Sequence, residues 1–386
     1  MTKEEYINLI KKEKHNFDIK YSELQKMYEI CLKKYEKNDM KEIMLKHNKL
    51  LKETVLNLLR YYPEFQEVKS MIIFTGSIAR NTNLLYSDID INIIYDNKYR
   101  EKLLQQEDKF CYMLSIILGF RGRDRIHGIT YYLPKISNVY NNEIKNNSYK
   151  LEFSDGVIEY KCRDNADKTM WNTFNSTRSI DDLTNYMLDN SKLFEDWTNC
   201  YSLIIDNGYY NKFHSEIKKN ELNNIKKEDF LESIHKLKLD IKEKLNTKDI
   251  MTIRDIKLIY KNRQLHLFYK LLAIIYKILL MNGIEIDKID LKQFDDSNIL
   301  LKLNIKSNIF DYGYHYLFMI TRLQYIINCL NLDLSKHSLL TIEKDKLNII
   351  YKEKLGGNDI FDDLNKVKNI LNDEILTILD KLEELI

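Results

Sequence analysis

Two prolines, Pro63 and Pro134, and ten glycines are all that 386 residues contain of the two residue types that break regular structure. A chain so poor in breakers favours long helices over a many-stranded sandwich or barrel, which needs frequent turns. Excess charge of one sign is missing too, since 60 Lys and Arg against 58 Asp and Glu leave a formal net charge of +2. Without a global field, affinity for nucleic acid or an anionic membrane requires a local basic patch. The five cysteines (Cys31, Cys111, Cys162, Cys200, Cys329) are scattered, odd in number and form no C-x-x-C pair. That spacing argues against a disulfide framework and a zinc site, and fits free thiols in a reducing compartment. Long apolar runs are also lacking. The most apolar stretch, LLAIIYKILLM at 271–281, is too short to span a bilayer and carries Lys277, so it reads as a buried helix. The start, MTKEEYINLIKKEK, has no apolar signal core, and the expected location is cytoplasmic with no membrane partner.

What is present is an ordinary folded composition, 44% hydrophobic and 31% charged, over a length that predicts two or three domains. The first 60 residues read as helix, with Leu45, Leu50, Leu51, Val55, Leu58 and Leu59 at helical spacing, Asp39 and Glu42 as a capping box, and Pro63 as the stop. The pattern then shortens. MIIFT (71–75) and IDINIIY (89–95) read as strands, about 99–118 as a helix, and ITYYL (129–133) as a further strand. LEF, the turn Ser154-Asp155-Gly156 and VIEYKC read as a hairpin, because Asp-Gly supplies the positive φ of a tight turn. From about Ile180 onward helical periodicity returns. The expected fold class is α+β: a small mixed-sheet core at 67–180, a helical segment at 1–66 before it, and an all-α domain at 181–386 after it.

The chemistry is concentrated at 76–90, GSIARNTNLLYSDID. Asp88 and Asp90 sit two apart in a predicted strand, so both carboxylates leave one face while Ile89 and Ile91 point into a core. Two carboxylates that close repel each other unless a cation lies between them. Hard oxygen ligands on one face suit Mg²⁺, with Mn²⁺ as the alternative, the shell being completed by water and phosphate oxygens. Upstream, Gly76 permits close backbone approach, and the following N–H groups with the Ser77 hydroxyl can cradle phosphate oxygens. A phosphate cradle beside a metal-holding carboxylate pair is what nucleotidyl transfer needs.

These residues resemble the signature of the DNA polymerase β-like nucleotidyltransferase superfamily: Gly-Ser, a loop, then Asp-x-Asp on the next strand. The form G-S-x-A/G-R followed by S-D-I-D is most similar to the bacterial regulatory branch, which includes the protein uridylyltransferases and adenylyltransferases of nitrogen control. Aminoglycoside nucleotidyltransferases share much of it. The resemblance implies that Gly76, Ser77, Arg80 and Ser87 contact the triphosphate and that Asp88 and Asp90 hold the metals. It also implies a third carboxylate on a neighbouring strand. Glu159 in V-I-E-Y fits that place best and Glu152 in L-E-F second, a one-residue register shift reversing the face. Lys161, two after Glu159, shares its strand face and can reach a phosphate. The chain departs from the regulatory pattern in FNSTRSIDD, where Ser176 rather than an acid stands two before Arg178. A fainter similarity to the helical part of the regulatory enzymes lies in IRDIKLIYKNRQL at 253–265.

Other features carry weaker expectations. Arg121, Arg123 and Arg125 suit a triphosphate or a solvated loop equally, and His127 reads as a loop histidine. Tyr131 and Tyr132 read as sheet packing, and FDYGYHYLF at 310–318 as helix core. The expected function is Mg²⁺-dependent transfer of a nucleoside monophosphate from a triphosphate to a hydroxyl of a protein or a small molecule, nucleic acid being the less favoured acceptor. ATP is the working donor, although spacing does not select among ATP, GTP, CTP and UTP. The rival expectation is a nucleotide-binding regulator without turnover. The active site is expected in a cleft between the core and the C-terminal helices.

Overall fold

The computed structural model of the chain describes residues 1–34, 37–68, 70–75, 78, 82–83, 90–95, 99–118, 148–161, 202–208, 226–243, 249–284, 297–332 and 340–386. The chain divides into two compact units, one of Met1–Gln25 with Leu45–Asn220, the other of Lys26–Met44 with Glu221–Ile386. The fold class is α+β, with small antiparallel sheets between an N-terminal and a C-terminal helical region.

The long helix α1 (Lys3–Cys31), which belongs to the first unit as far as Gln25, buries Tyr6, Ile10, Phe17, Tyr21 and Leu24, the three- and four-residue spacing of one helix face. Its start is held by a capping box, Glu5 N–H donating to Thr2 Oγ1 at 3.1 Å and Thr2 N–H to Glu5 Oε2 at 2.7 Å. Helix α2 (Lys37–Leu59) buries Leu50, Leu51, Val55, Leu58 and Leu59 as its periodicity requires. Leu45 does not follow: it is exposed, and Asp39 lies inside the first turn rather than ahead of it. Pro63 precedes the short α3 (Glu64–Glu67) with φ −59°, the value a first helical turn accepts.

The core sheet has the order β2-β1-β5, from β1 (Ser70–Thr75), β2 (Asp90–Tyr95) and β5 (Ser202–Asn207). β1 is the central strand, paired antiparallel on both sides, and the adjacent Met71 and Ile72, which leave opposite faces, are both buried, as is Phe74. Burial on both faces explains why MIIFT is continuously apolar. An isolated parallel bridge joins Ser70 to Gly208. β5 falls in a stretch whose sequence reads as helical. Its three apolar residues, LII, are too few to show a period of two, and pairing with β1 decides the outcome. Helix α4 (Arg100–Ile117) buries Leu103, Phe110, Met113, Leu114 and Ile117, with Phe110 edge-on to Tyr62 and Phe65.

The predicted hairpin is present as β3 (Ser148–Phe153) and β4 (Gly156–Lys161), with Gly156 at φ +150°. Its turn has a second role. Asp155 Oδ1 accepts from Lys3 N–H at 2.6 Å, while Lys3 Nζ donates to Val157 O at 2.9 Å. The Lys3 N–H holds the Asp155 carboxyl below the usual carboxylate range. The Tyr6 hydroxyl donates to Lys109 O, and its ring lies 4.9 Å from that of Phe153.

The second unit is helical: α5 (Lys227–Lys242), α6 (Ile253–Ile256), α7 (Gln264–Met281), α8 (Ser297–Lys302), α9 (Ile309–Cys329), α10 (Lys344–Leu355) and α11 (Ile360–Leu385). It also holds a short antiparallel pair, β6 (Ile250–Thr252) with β7 (Thr341–Glu343), which an all-α reading does not contain. The run at 271–281 is a largely buried helix, and FDYGYHYLF is core of α9, as its sequence requires. No helix of the described residues is long and apolar enough to cross a membrane. Between α6 and α7, Lys257–Arg263 winds as a π-helix, and the Tyr316 hydroxyl donates to its Tyr260 carbonyl.

Gly356 ends α10 at φ +71°, and the next residue is constrained by contact rather than by φ. A Cβ on Gly357 would lie 2.0 Å from the Tyr351 ring, which is fully buried. Gly357→Ala is therefore expected to destabilise the second unit by about 2–4 kcal/mol, read as a lower urea midpoint. An unchanged midpoint would show that Tyr351 can move.

Candidate active site at the end of β1

The register of the core sheet sets the last residue of β1 opposite the first of β2. Thr75, the last residue of β1 and the neighbour of Gly76, pairs directly with Asp90, the first residue of β2. Paired Cα atoms in such a ladder are about 5 Å apart, so Thr75 and Asp90 share one end of the sheet. Gly76, Ser77, Arg80, Ser87 and Asp88 lie outside the described residues, as do Arg121, Arg123, Arg125, His127, Tyr131, Tyr132, the strand expected at 129–133, Ser176 and Arg178. Asp90 is described as backbone.

Three positions of the connection between β1 and β2 are described, and all are buried: Ile78, Thr82 and Asn83. Helix α2 meets two of them. Asn48 Nδ2 donates to Ile78 O at 3.1 Å, and the Asn83 carboxamide lies 2.9 Å from His47 Nδ1. Burial pushes the His47 imidazole down to about 3, so the ring is neutral at ordinary pH and can act as an acceptor. The sign of the resulting pH dependence follows. Between pH 6.5 and 3 the unfolded chain binds this proton and the native one does not. Stability is thus full above pH 6.5 and falls as pH drops towards 3, by up to about 1.4 kcal/mol per pH unit. Urea unfolding at pH 7.5 and pH 5.0 is expected to show about 2 kcal/mol less pH dependence in His47→Gln than in the wild type. Equal dependence in both would exclude His47 as the source.

The hairpin carries both candidate third acids. Glu159 pairs with Lys150, Lys161 with Ser148, and Glu152 with Val157. Lys150, Glu152 and Val157 are exposed and Leu151 is buried, so the hairpin has one wet and one dry face. Glu152 acts electrostatically on Lys109 of α4, whose ammonium lies 4.4 Å from the Phe153 ring centre. Burial lowers the Lys109 pKa, and Glu64 and Glu152 offset part of that shift. Among the described residues the hairpin is a two-stranded sheet of its own, not hydrogen-bonded to the sheet that carries Asp90.

Strand β5 brings one further acid to the core sheet, Asp206. It pairs with Met71, four rungs from the Thr75–Asp90 pair, or about 13 Å along the strand. Its carboxylate accepts from Gly208 N–H at 2.9 Å, at the opposite end of the sheet from Asp90. One metal cannot take ligands that far apart. Among the described residues no group of three or more His, Cys, Asp or Glu is placed to hold a metal ion.

Residues 53–127 match a family described as nucleotidyltransferase domain, a span that includes the last seven residues of α2, both β1 and β2, and α4. Over this span the chain is similar to a nucleotidyltransferase domain, and a nucleoside triphosphate is the substrate such a domain implies. No curated protein matches the chain.

Proposed function

We propose that the chain is a divalent-metal-dependent nucleotidyltransferase that moves a nucleoside monophosphate from a triphosphate to an acceptor hydroxyl and releases pyrophosphate. The pairing of Thr75 with Asp90 supports this reading most directly, because it sets the Gly76 end of β1 beside the second aspartate. In this account Asp88 and Asp90 bind Mg²⁺ or Mn²⁺. Gly76, Ser77, Arg80 and Ser87 hold the triphosphate, with Lys161 as a further phosphate contact. Glu159 is the third carboxylate, accepting the acceptor's proton or completing the metal shell. The core runs over 67–180 and is joined by β5, with helices at 1–66 before it and the domain at 181–386 after it. Bound metal would neutralise charge developing at the α-phosphorus. An arrangement of hard oxygen donors at one sheet end fits that ion class. The acceptor is a protein side chain or a small molecule, an aminoglycoside-type antibiotic among them, and the compartment is the cytoplasm.

A second reading is a triphosphate-binding regulator without turnover. It is favoured by the separate sheet of the hairpin and by the distance of Asp206 from Asp90. Incubating the protein with α-labelled ATP, GTP, CTP or UTP, Mg²⁺ and cell extract separates the readings. Label on a protein or a small molecule supports transfer and identifies the acceptor class. Saturable binding with no labelled acceptor in any of the four supports the regulator.

A further inference from the structure

We propose that His47 and Asn48, adjacent on α2, are positioning residues that hold Ile78 and Asn83, so that the triphosphate- and metal-binding residues flanking those positions meet at one end of the core sheet. The inference rests on the nucleotidyltransferase reading above and assigns a role to a helix that lies outside the motif.

The observation that carries it is the chemistry chosen for a buried place. Ile78, Thr82 and Asn83 are each 2% exposed, and His47 is 1% exposed. Packing alone at such a site is served at least as well by apolar side chains, since a buried polar pair must repay its desolvation. Here the pair does so only in part. Among the described residues His47 Nε2 and Asn83 Oδ1 are buried with no hydrogen-bond partner. What polar contacts supply and apolar ones do not is register: a carboxamide facing an imidazole and an amide facing one carbonyl allow one alignment of the backbone. Two contacts five residues apart in sequence, at 78 and 83, limit both translation and rotation of the connection. α1 supports the arrangement from behind. The ring of Tyr21 lies 6.0 Å from that of His47, and Phe17 stacks on Tyr21 at 5.3 Å.

Three variants test the role: His47→Phe and Asn48→Leu, which keep bulk and remove the polar contacts, and Val55→Ala, a buried position of the same helix with no polar side chain. Affinity for Mg²⁺ with each of ATP, GTP, CTP and UTP is measured by calorimetry well below each variant's melting temperature. Backbone hydrogen exchange at 78–83 is followed in parallel. The expected result is triphosphate binding about tenfold weaker, and exchange at 78–83 about tenfold faster, in the first two variants only. Affinity that falls in Val55→Ala as much as in the other two, or exchange at 78–83 unchanged by the polar substitutions, overturns the inference. Faster exchange with unchanged affinity overturns it as well. A wild-type chain that binds none of the four triphosphates overturns the nucleotidyltransferase reading instead, and exchange at 78–83 then decides whether α2 anchors the connection.

Discussion

Asp90→Ala is expected to lower Mg²⁺-dependent pyrophosphate release by about a thousandfold or more, with the melting temperature within about 2 °C of the wild type. Both halves of that expectation come from the place of the residue. Asp90 opens β2 opposite Thr75, the residue that precedes Gly76 in the chain. In the proposed mechanism the Asp88 and Asp90 carboxylates hold a cation between them, so loss of one removes repulsion as well as a ligand. The fold therefore survives while the chemistry does not. Asp88→Ala is expected to behave alike, and Asp90→Asn to retain the shape without the charge and remain inactive. Coupled pyrophosphate detection together with thermal unfolding checks each variant. Activity within tenfold of the wild type in Asp90→Ala would remove the carboxylate pair from the mechanism.

Arg322→Ala is expected to destabilise the second unit by about 3 kcal/mol. One guanidinium serves four elements. Its Nε donates to Leu32 O at 2.8 Å and an Nη to Lys33 O at 3.3 Å, satisfying carbonyls just beyond the end of α1. The other Nη donates to the Tyr351 hydroxyl of α10 at 2.9 Å, and that hydroxyl donates to Asp363 of α11 at 3.0 Å. The guanidinium also lies 4.9 Å from the Phe318 ring centre on its own helix. Lysine cannot reproduce the planar fork, so Arg322→Lys is expected to recover less than half of the loss. Urea unfolding of the two variants is the check, and a loss under about 1 kcal/mol for Arg322→Ala would show that water replaces these contacts.

Much of the fold is legible in the sequence where a local pattern and its tertiary partner agree. MIIFT and the Asp90–Tyr95 part of IDINIIY are strands, as their short apolar runs predict, and the Asp155-Gly156 pair marks a hairpin that forms. The buried face of α2 runs from Met40, Ile43 and Met44 through Leu51, Val55 and Leu58, and Leu45 is exposed because it points off that face. β5 is hidden because three apolar residues carry no period, and only β1 supplies its reason to extend. β6 and β7 are three residues each, shorter than any periodicity. At the candidate site the sequence shows which residues carry charge and in what spacing. It does not show what holds them. Asp155 meets Lys3 across 152 residues, and Asn83 meets His47 across 36, separations at which sequence spacing carries no signal. Glu152 and Glu159 are the matching case. A hairpin places both on one ladder, and the ladder's relation to Asp90 is a tertiary matter.

The most direct test of the account is the identity of the inorganic product. Triphosphate labelled at the α-phosphorus and, in a parallel reaction, at the γ-phosphorus is incubated with the protein, Mg²⁺ and acceptor-containing extract. Nucleotidyl transfer breaks the α–β bond, so the account predicts labelled pyrophosphate from the γ-labelled reaction. It predicts α-label on the acceptor in equal amount, and neither product when EDTA is present. Labelled orthophosphate with nucleoside diphosphate, or product formation that EDTA leaves unchanged, would contradict it.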